Sequence, residues 1–239
     1  MTSNENVEAI VAPAASRGRV GSIASLLALA LVVAYPLSRQ FLIGAIVPAI
    51  QPLGQLATDI FSEAAAWSYA LLALVVVLRW GQRPLALLGL GRVGWKTAAF
   101  GIGAAIATIA LGNIVASLAY GLLGQTPHAA AALAHGSVFY AVVLALRAGA
   151  VEELLYRGIA IELLTELTGL RWVAAALSLL LFVLSHAFVF DWLQLLPIAA
   201  AGLVMTLLYL WRHDLWANIV AHTLVDAFGL VLLTLGAAS

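Results

Sequence analysis

The sequence contains no cysteine, and only 9% of its 239 residues are charged. Without thiols there is no disulfide, no thiol nucleophile and no Cys-type zinc or iron–sulfur site. Soluble chains average roughly 25% charged residues, so the shortage of charge excludes an ordinary soluble fold. Lys and Arg number 11, as do Asp and Glu, which leaves a formal net charge of zero. There is no basic excess to attract nucleic acid, and nucleic acid is excluded as a partner. What is abundant is hydrocarbon: 64% of residues are hydrophobic and the mean hydropathy is +1.07. The expected class is all-α, a polytopic membrane protein with membrane lipid as its surroundings.

Residues 1–19 are polar and rich in small side chains, with Glu5, Glu8 and Arg17, and read as a disordered cytosolic tail. Residues 20–239 read as a single transmembrane domain without repeats or low-complexity tracts. Apolar runs at 20–49, 64–80, 97–123, 138–167, 172–190, 193–211 and 215–235 predict about seven transmembrane helices. Each is close to the roughly 20 residues that a span needs. Pro36 and Arg39 interrupt the first run, which predicts a kink or end near Pro36 and an interfacial piece after it. A polar stretch with Gln51, Gln55, Asp59 and Glu63 follows. Gly101, Gly103, Ala104 and Ala105 open the third span and allow close helix approach.

The loop 79–96 holds Arg79, Arg83, Arg92 and Lys96 and is predicted cytosolic. Seven spans then place the N-terminus in the cytosol and the C-terminus outside. Arg17, Arg19, Arg171 and Arg212 fall on the cytosolic side of that scheme, and Arg39 falls outside. The Ala- and Arg-biased composition points to a bacterial inner membrane.

Against this background the stretch Val151-Glu-Glu-Leu-Leu-Tyr-Arg-Gly158 is exceptional. Ionisable groups deep in apolar helices are costly and mark function by default. Glu153 and Arg157 are four apart, share a face and can pair, whereas Glu152 is turned away by about 100°. On later helices stand His186 and the i,i+4 pair His222 and Asp226. A structural ion pair and a local His–Asp hydrogen bond are the plain alternatives. Together, however, a carboxylate and imidazoles can activate water, and an imidazole N–H can stabilise an oxyanion. The same groups, Glu152, His186, His222 and Asp226, could instead hold a zinc-like divalent metal. His213 and Asp214 fall at a helix junction, and His128 and His135 fall in a loop, so none of the four is assigned chemistry. Asn113 and Arg147 lie within spans without an evident partner and are read as interhelical hydrogen bonding.

The ordered set Glu152-Glu153-x-x-x-Arg157, Phe182-x-x-x-His186 and His222-x-x-x-Asp226 resembles the CPBP family of intramembrane proteases, also called Abi or type II CAAX endopeptidases. The resemblance covers about 138–235. Leu88-Gly-Leu-Gly-Arg92 through Trp95 looks like the segment that precedes the family's core. The resemblance implies an intramembrane endopeptidase that cleaves a membrane-associated or lipidated peptide or protein. Glu152 and His186 would activate water, Glu153 and Arg157 would support the site, and His222 with residue 226 would face the oxyanion. That glutamate mechanism needs no cofactor, and a divalent metal is the family's other reading. The last motif often ends in Asn. An ionised Asp226 cannot donate a hydrogen bond, so it is protonated, orients His222 or binds metal. The alternatives to a protease are a non-proteolytic scaffold or bacteriocin-immunity protein that retains the motif and, more distantly, a proton-coupled transporter. The transporter reading predicts inverted repeats and broken helices, and neither is evident.

Overall fold

The computed structural model describes residues 19–124 and 137–237, and these contain helices and turns but no strand. The N-terminal tail, His128, His135 and Ser239 lie outside the described residues. The major helices are α1 (Arg19–Phe41), α2 (Gln55–Val75), α3 (Trp95–Leu123), α4 (Val138–Glu152), α5 (Glu162–Thr168), α6 (Arg171–His186), α7 (Leu195–Arg212) and α8 (Leu215–Ala237). A π-helical segment, Glu153–Ile161, joins α4 to α5 without a break, so 138–168 is one continuous rod. Among the described residues seven long helical segments result, matching the seven apolar runs. Five of these are long and apolar enough to cross a membrane by themselves. The rod carries too many charges to qualify, and α6 has only 16 residues. The chain is thus a polytopic all-α integral membrane protein.

Three boundaries differ from expectation. Pro36 does not end α1, which continues through a π turn at Leu42–Ile46 to Ile50. A membrane helix tolerates the missing donor because neighbouring groups can satisfy the freed carbonyl. The second helix begins at Gln55, nine residues before the apolar run. Hydropathy marks where hydrocarbon starts, not where the helix starts. The fifth span ends at His186 rather than 190, and the chain then turns back through Val189 and Phe190, whose N–H groups donate to the His186 carbonyl.

Packing is built on close approaches. The rod presents buried Ala141, Ala145, Ala148 and Gly149 along α4, and α8 lies against it. A Cβ on Gly149 would fall 2.9 Å from the Thr223 nitrogen. On the other flank α8 meets α3, where a Cβ on Gly101 would fall 2.7 Å from Val220. Gly103, by contrast, faces open space. The helices α1 and α2 cover the π segment, with Val32, Ala73, Leu155 and Ile159 in one apolar core.

The basic end of the bundle is fastened by polar contacts. Glu162 accepts from Tyr209 at 3.1 Å and meets Arg171 at 3.3 Å and His213 at 3.2 Å. Arg83 pairs with Glu166. Asp214 caps α8 by accepting from the Ala217 N–H and also takes the Thr97 hydroxyl. The segment before α3 docks here. Leu88 is fully buried, and the Gly89 carbonyl accepts from Leu215 N–H at 2.9 Å. Gly89 adopts φ +73°, and a Cβ there would fall 3.0 Å from both Leu215 and Tyr209, so only glycine suits the position.

Candidate active site

Four helical elements bring the titratable residues of the three motifs together. Glu153 starts the π segment and is wholly buried. Its Oε1 accepts from Arg157 at 2.9 Å and from His222 Nδ1 at 2.8 Å, and its Oε2 accepts from Asn218 at 3.1 Å. Arg157 also donates to the Gly202 carbonyl at 3.1 Å, and its guanidinium lies 4.3 Å from the Phe182 ring centroid. Gly202 is needed at that point, because a Cβ would stand 2.9 Å from Phe182. The Glu153–Arg157 pair is therefore the hub that ties the rod to α6, α7 and α8.

The π geometry contributes a further tie. An i→i+5 segment strays from the regular bond pattern, and Ser178 of α6 donates its hydroxyl to the Tyr156 carbonyl within it. Phe182, one turn on, stacks edge-on against Tyr156 and His222.

Glu152 has different surroundings. Its Oε1 lies 3.9 Å from Arg147 Nη1, and its Oε2 lies 3.7 Å from His186 Nε2. It makes no hydrogen bond with the protein through Oε2. His186 Nδ1 is 2.8 Å from the Phe182 carbonyl. A carbonyl only accepts, so Nδ1 carries the proton, and in the neutral ring Nε2 presents its lone pair to Glu152. Two acceptors thus face each other across a gap that one water oxygen can bridge at about 2.8 Å from each.

Both ends of α6 are tied to the rod, Arg171 to Glu162 and His186 to Glu152. Sixteen residues of α6 span the same interval as about ten of the rod, so α6 runs obliquely. That slant lets His186, fifteen residues from Arg171, meet a glutamate only ten residues from Glu162.

Asp226 sits at the edge of this group. Its Oδ2 is 3.6 Å from His222 Nε2, too far for a hydrogen bond. The imidazole is held by Glu153 through Nδ1, and the local His222–Asp226 hydrogen bond that spacing offered as the plain alternative is not formed. Two further expectations change. Arg147 does have partners: its Nε lies 3.4 Å from Glu63 on α2, in addition to Glu152. Asn113 is exposed and donates to its own helix at the Ile109 carbonyl, so it joins no interhelical contact.

Asn218 was not singled out from sequence. It is fully buried and donates to both Glu153 and the Met205 carbonyl. Its signal was the spacing Asn218-x-x-x-His222, which places both on the face of α8 that meets the rod. Glu63 was visible only as a member of a polar stretch.

Among the described residues no three His, Asp or Glu side chains are arranged to share a metal ion. His222 and His186 each turn Nδ1 to an oxygen, that of Glu153 and of the Phe182 carbonyl, and keep Nε2 for a further partner.

An all-α membrane bundle that holds two adjacent glutamates and two histidines in its interior defines a class of integral membrane protein. Residues 130–228 match the family described as type II CAAX prenyl endopeptidase Rce1-like. The three motifs lie within the matched residues, in keeping with the CPBP resemblance. No curated protein and no solved structure matches the chain.

Proposed function

We propose that the chain is an intramembrane endopeptidase in which Glu152 and His186 activate water. The observation that carries this reading is the 3.7 Å separation of Glu152 Oε2 and His186 Nε2. A water between two acceptors donates one hydrogen to each, and its lone pair then points away from both, toward an incoming carbonyl. Its oxygen bonds to the carbonyl carbon while Glu152 or His186 takes a proton. As the C–N bond breaks, that proton passes to the leaving amine. Glu153 and Arg157 fix the frame, and His222 faces the developing oxyanion. With Glu153 on Nδ1, His222 offers Nε2 to the oxyanion when that nitrogen is protonated.

The substrate is a membrane-associated or lipidated peptide or protein. An apolar groove of about 180 Å³ between α1 and α6 supports this choice. It includes Pro36, Leu37, Tyr156, Leu184 and Phe188 and opens beside Ser185, the neighbour of His186. The membrane is a bacterial inner membrane, with the basic loop and N-terminus on the cytosolic side.

Asp226 favours a second reading. Its carboxylate stands where a neutral donor would serve an oxyanion better, which suits a scaffold or immunity protein that keeps the motif without cleaving. The test is cleavage of membrane-anchored peptides by the purified protein, wild type beside Glu152→Gln. Cleavage by wild type alone is the expected result. No cleavage by folded wild type would favour the scaffold.

A further inference from the structure

Buried polar atoms are nearly always bonded to protein or to water. On one side of Glu152 this rule points to water. Glu63 Oε2, Arg147 Nη1 and Glu152 Oε2 are buried and have no hydrogen-bond partner in the protein. The three side chains form a file: Glu63 Oε1 is 3.4 Å from Arg147 Nε, and Arg147 Nη1 is 3.9 Å from Glu152 Oε1. Tyr35 Oη, also buried without a hydrogen bond of standard geometry, stands beside Arg147.

The file continues outward along α2. Gln55, Asp59 and Glu63 recur every fourth residue and so share one face. Gln55 is exposed and donates to Asp59 at 2.8 Å, and Asp59 and Glu63 are part-buried. In the other direction the way is closed. Between Glu152 and the basic end lie Leu155, Tyr156, Ile159 and Leu163, all within the apolar core.

We propose that the stripe Gln55–Asp59–Glu63 and the Arg147 guanidinium line a hydrated path by which water reaches Glu152 from the end of the bundle opposite the basic loops. It rests on the hydrolase reading for the use to which the water is put. The hydration itself rests on the geometry alone.

The absence of native cysteine makes single-cysteine labelling clean. The probe is a charged, membrane-impermeant methanethiosulfonate, which reacts only with thiols in contact with water. Glu63→Cys is compared with Ala64→Cys, one residue on at the same depth but exposed on the outer face of the bundle. Loss of Glu63 removes one partner of Arg147 and can impair folding, so Asp59→Cys, on the same stripe, is a second variant that leaves the Glu63–Arg147 pair intact and is compared with exposed Ile60→Cys. In vesicles, Glu63→Cys or Asp59→Cys is expected to react at least ten-fold faster than its outward-facing neighbour, Ala64→Cys or Ile60→Cys. A smaller ratio for both overturns the path. If wild type cleaves peptide, charged modification of Asp59→Cys is expected to lower kcat at least five-fold with KM unchanged. Full labelling without loss of kcat would overturn this path as the supply of water. Labelling reports hydration even if no peptide is cleaved, so its failure and that of the protease reading are separate results.

Discussion

Glu153 accepts hydrogen bonds from three side chains, while Glu152 meets its neighbours only at ion-pair distance. The two adjacent carboxylates should therefore respond differently to substitution. Glu153→Ala leaves Arg157 buried without its ion-pair partner, and Arg157→Ala does the converse. Breaking a buried pair from one side costs about 3–5 kcal/mol. Both variants are expected to lose thermal stability in detergent as well as activity. Glu152→Gln removes a carboxylate that no protein group depends on for a short hydrogen bond. It should stay folded and lose at least about 100-fold in cleavage rate, the low end for general acid–base catalysis. Wild-type activity in Glu152→Gln would remove the proposed base. Asp226 is a third case. Glu153 already orients His222, so Asp226→Asn should leave cleavage within roughly ten-fold of wild type, well short of a general acid–base effect. A larger loss would show that the carboxylate itself takes part.

At the scale of elements, the site depends on how closely α8 and the rod approach. Gly149 sets that distance one turn from Glu153, and its partner Thr223 is the neighbour of His222. A methyl there would fall 2.3 Å from Thr223 Oγ1 and 2.9 Å from its backbone nitrogen. Backbone cannot yield as a flexible side-chain tip can, so the helices must part. Gly149→Ala is expected to cost about 1–3 kcal/mol, as overpacking does. It should also lower cleavage in whatever fraction stays folded, because the 2.8 Å contact of His222 with Glu153 crosses the same interface. Thermal stability and rate measured on one preparation decide it. Gly149→Ala with wild-type stability would show that α8 can shift without cost. The short, oblique α6 plays the complementary part, since its end at His186 sets the depth of the site.

For the whole molecule, the polar fastening at one end and the polar stripe at the other give the bundle two unlike faces. By the positive-inside tendency the basic loop between α2 and α3 is expected on the cytosolic side. Leu88 in that loop is buried, so Arg92, which is exposed, is the position to label. Arg92→Cys is expected to react from the cytosolic side, and a cysteine added after residue 239 from the opposite side. Reaction of both from one side would contradict an odd number of crossings.

The sequence by itself determined the class, the number of long helices and the helices on which chemistry would be sought. These are properties of composition and run length, and hydrocarbon imposes them locally on each segment. The pairing of Glu153 with Arg157 was equally legible, since four residues along a helix is a local distance. Contacts between helices were not. That Glu153 rather than Asp226 holds His222, that Asn218 joins the hub and that Arg147 links Glu63 to Glu152 depend on which helices touch and how far each is slid along its neighbour. Spacing within a helix carries no information about that slide. Close packing at Gly149, Gly202 and Gly89 sets it, and only the tertiary structure brings those glycines against their partners.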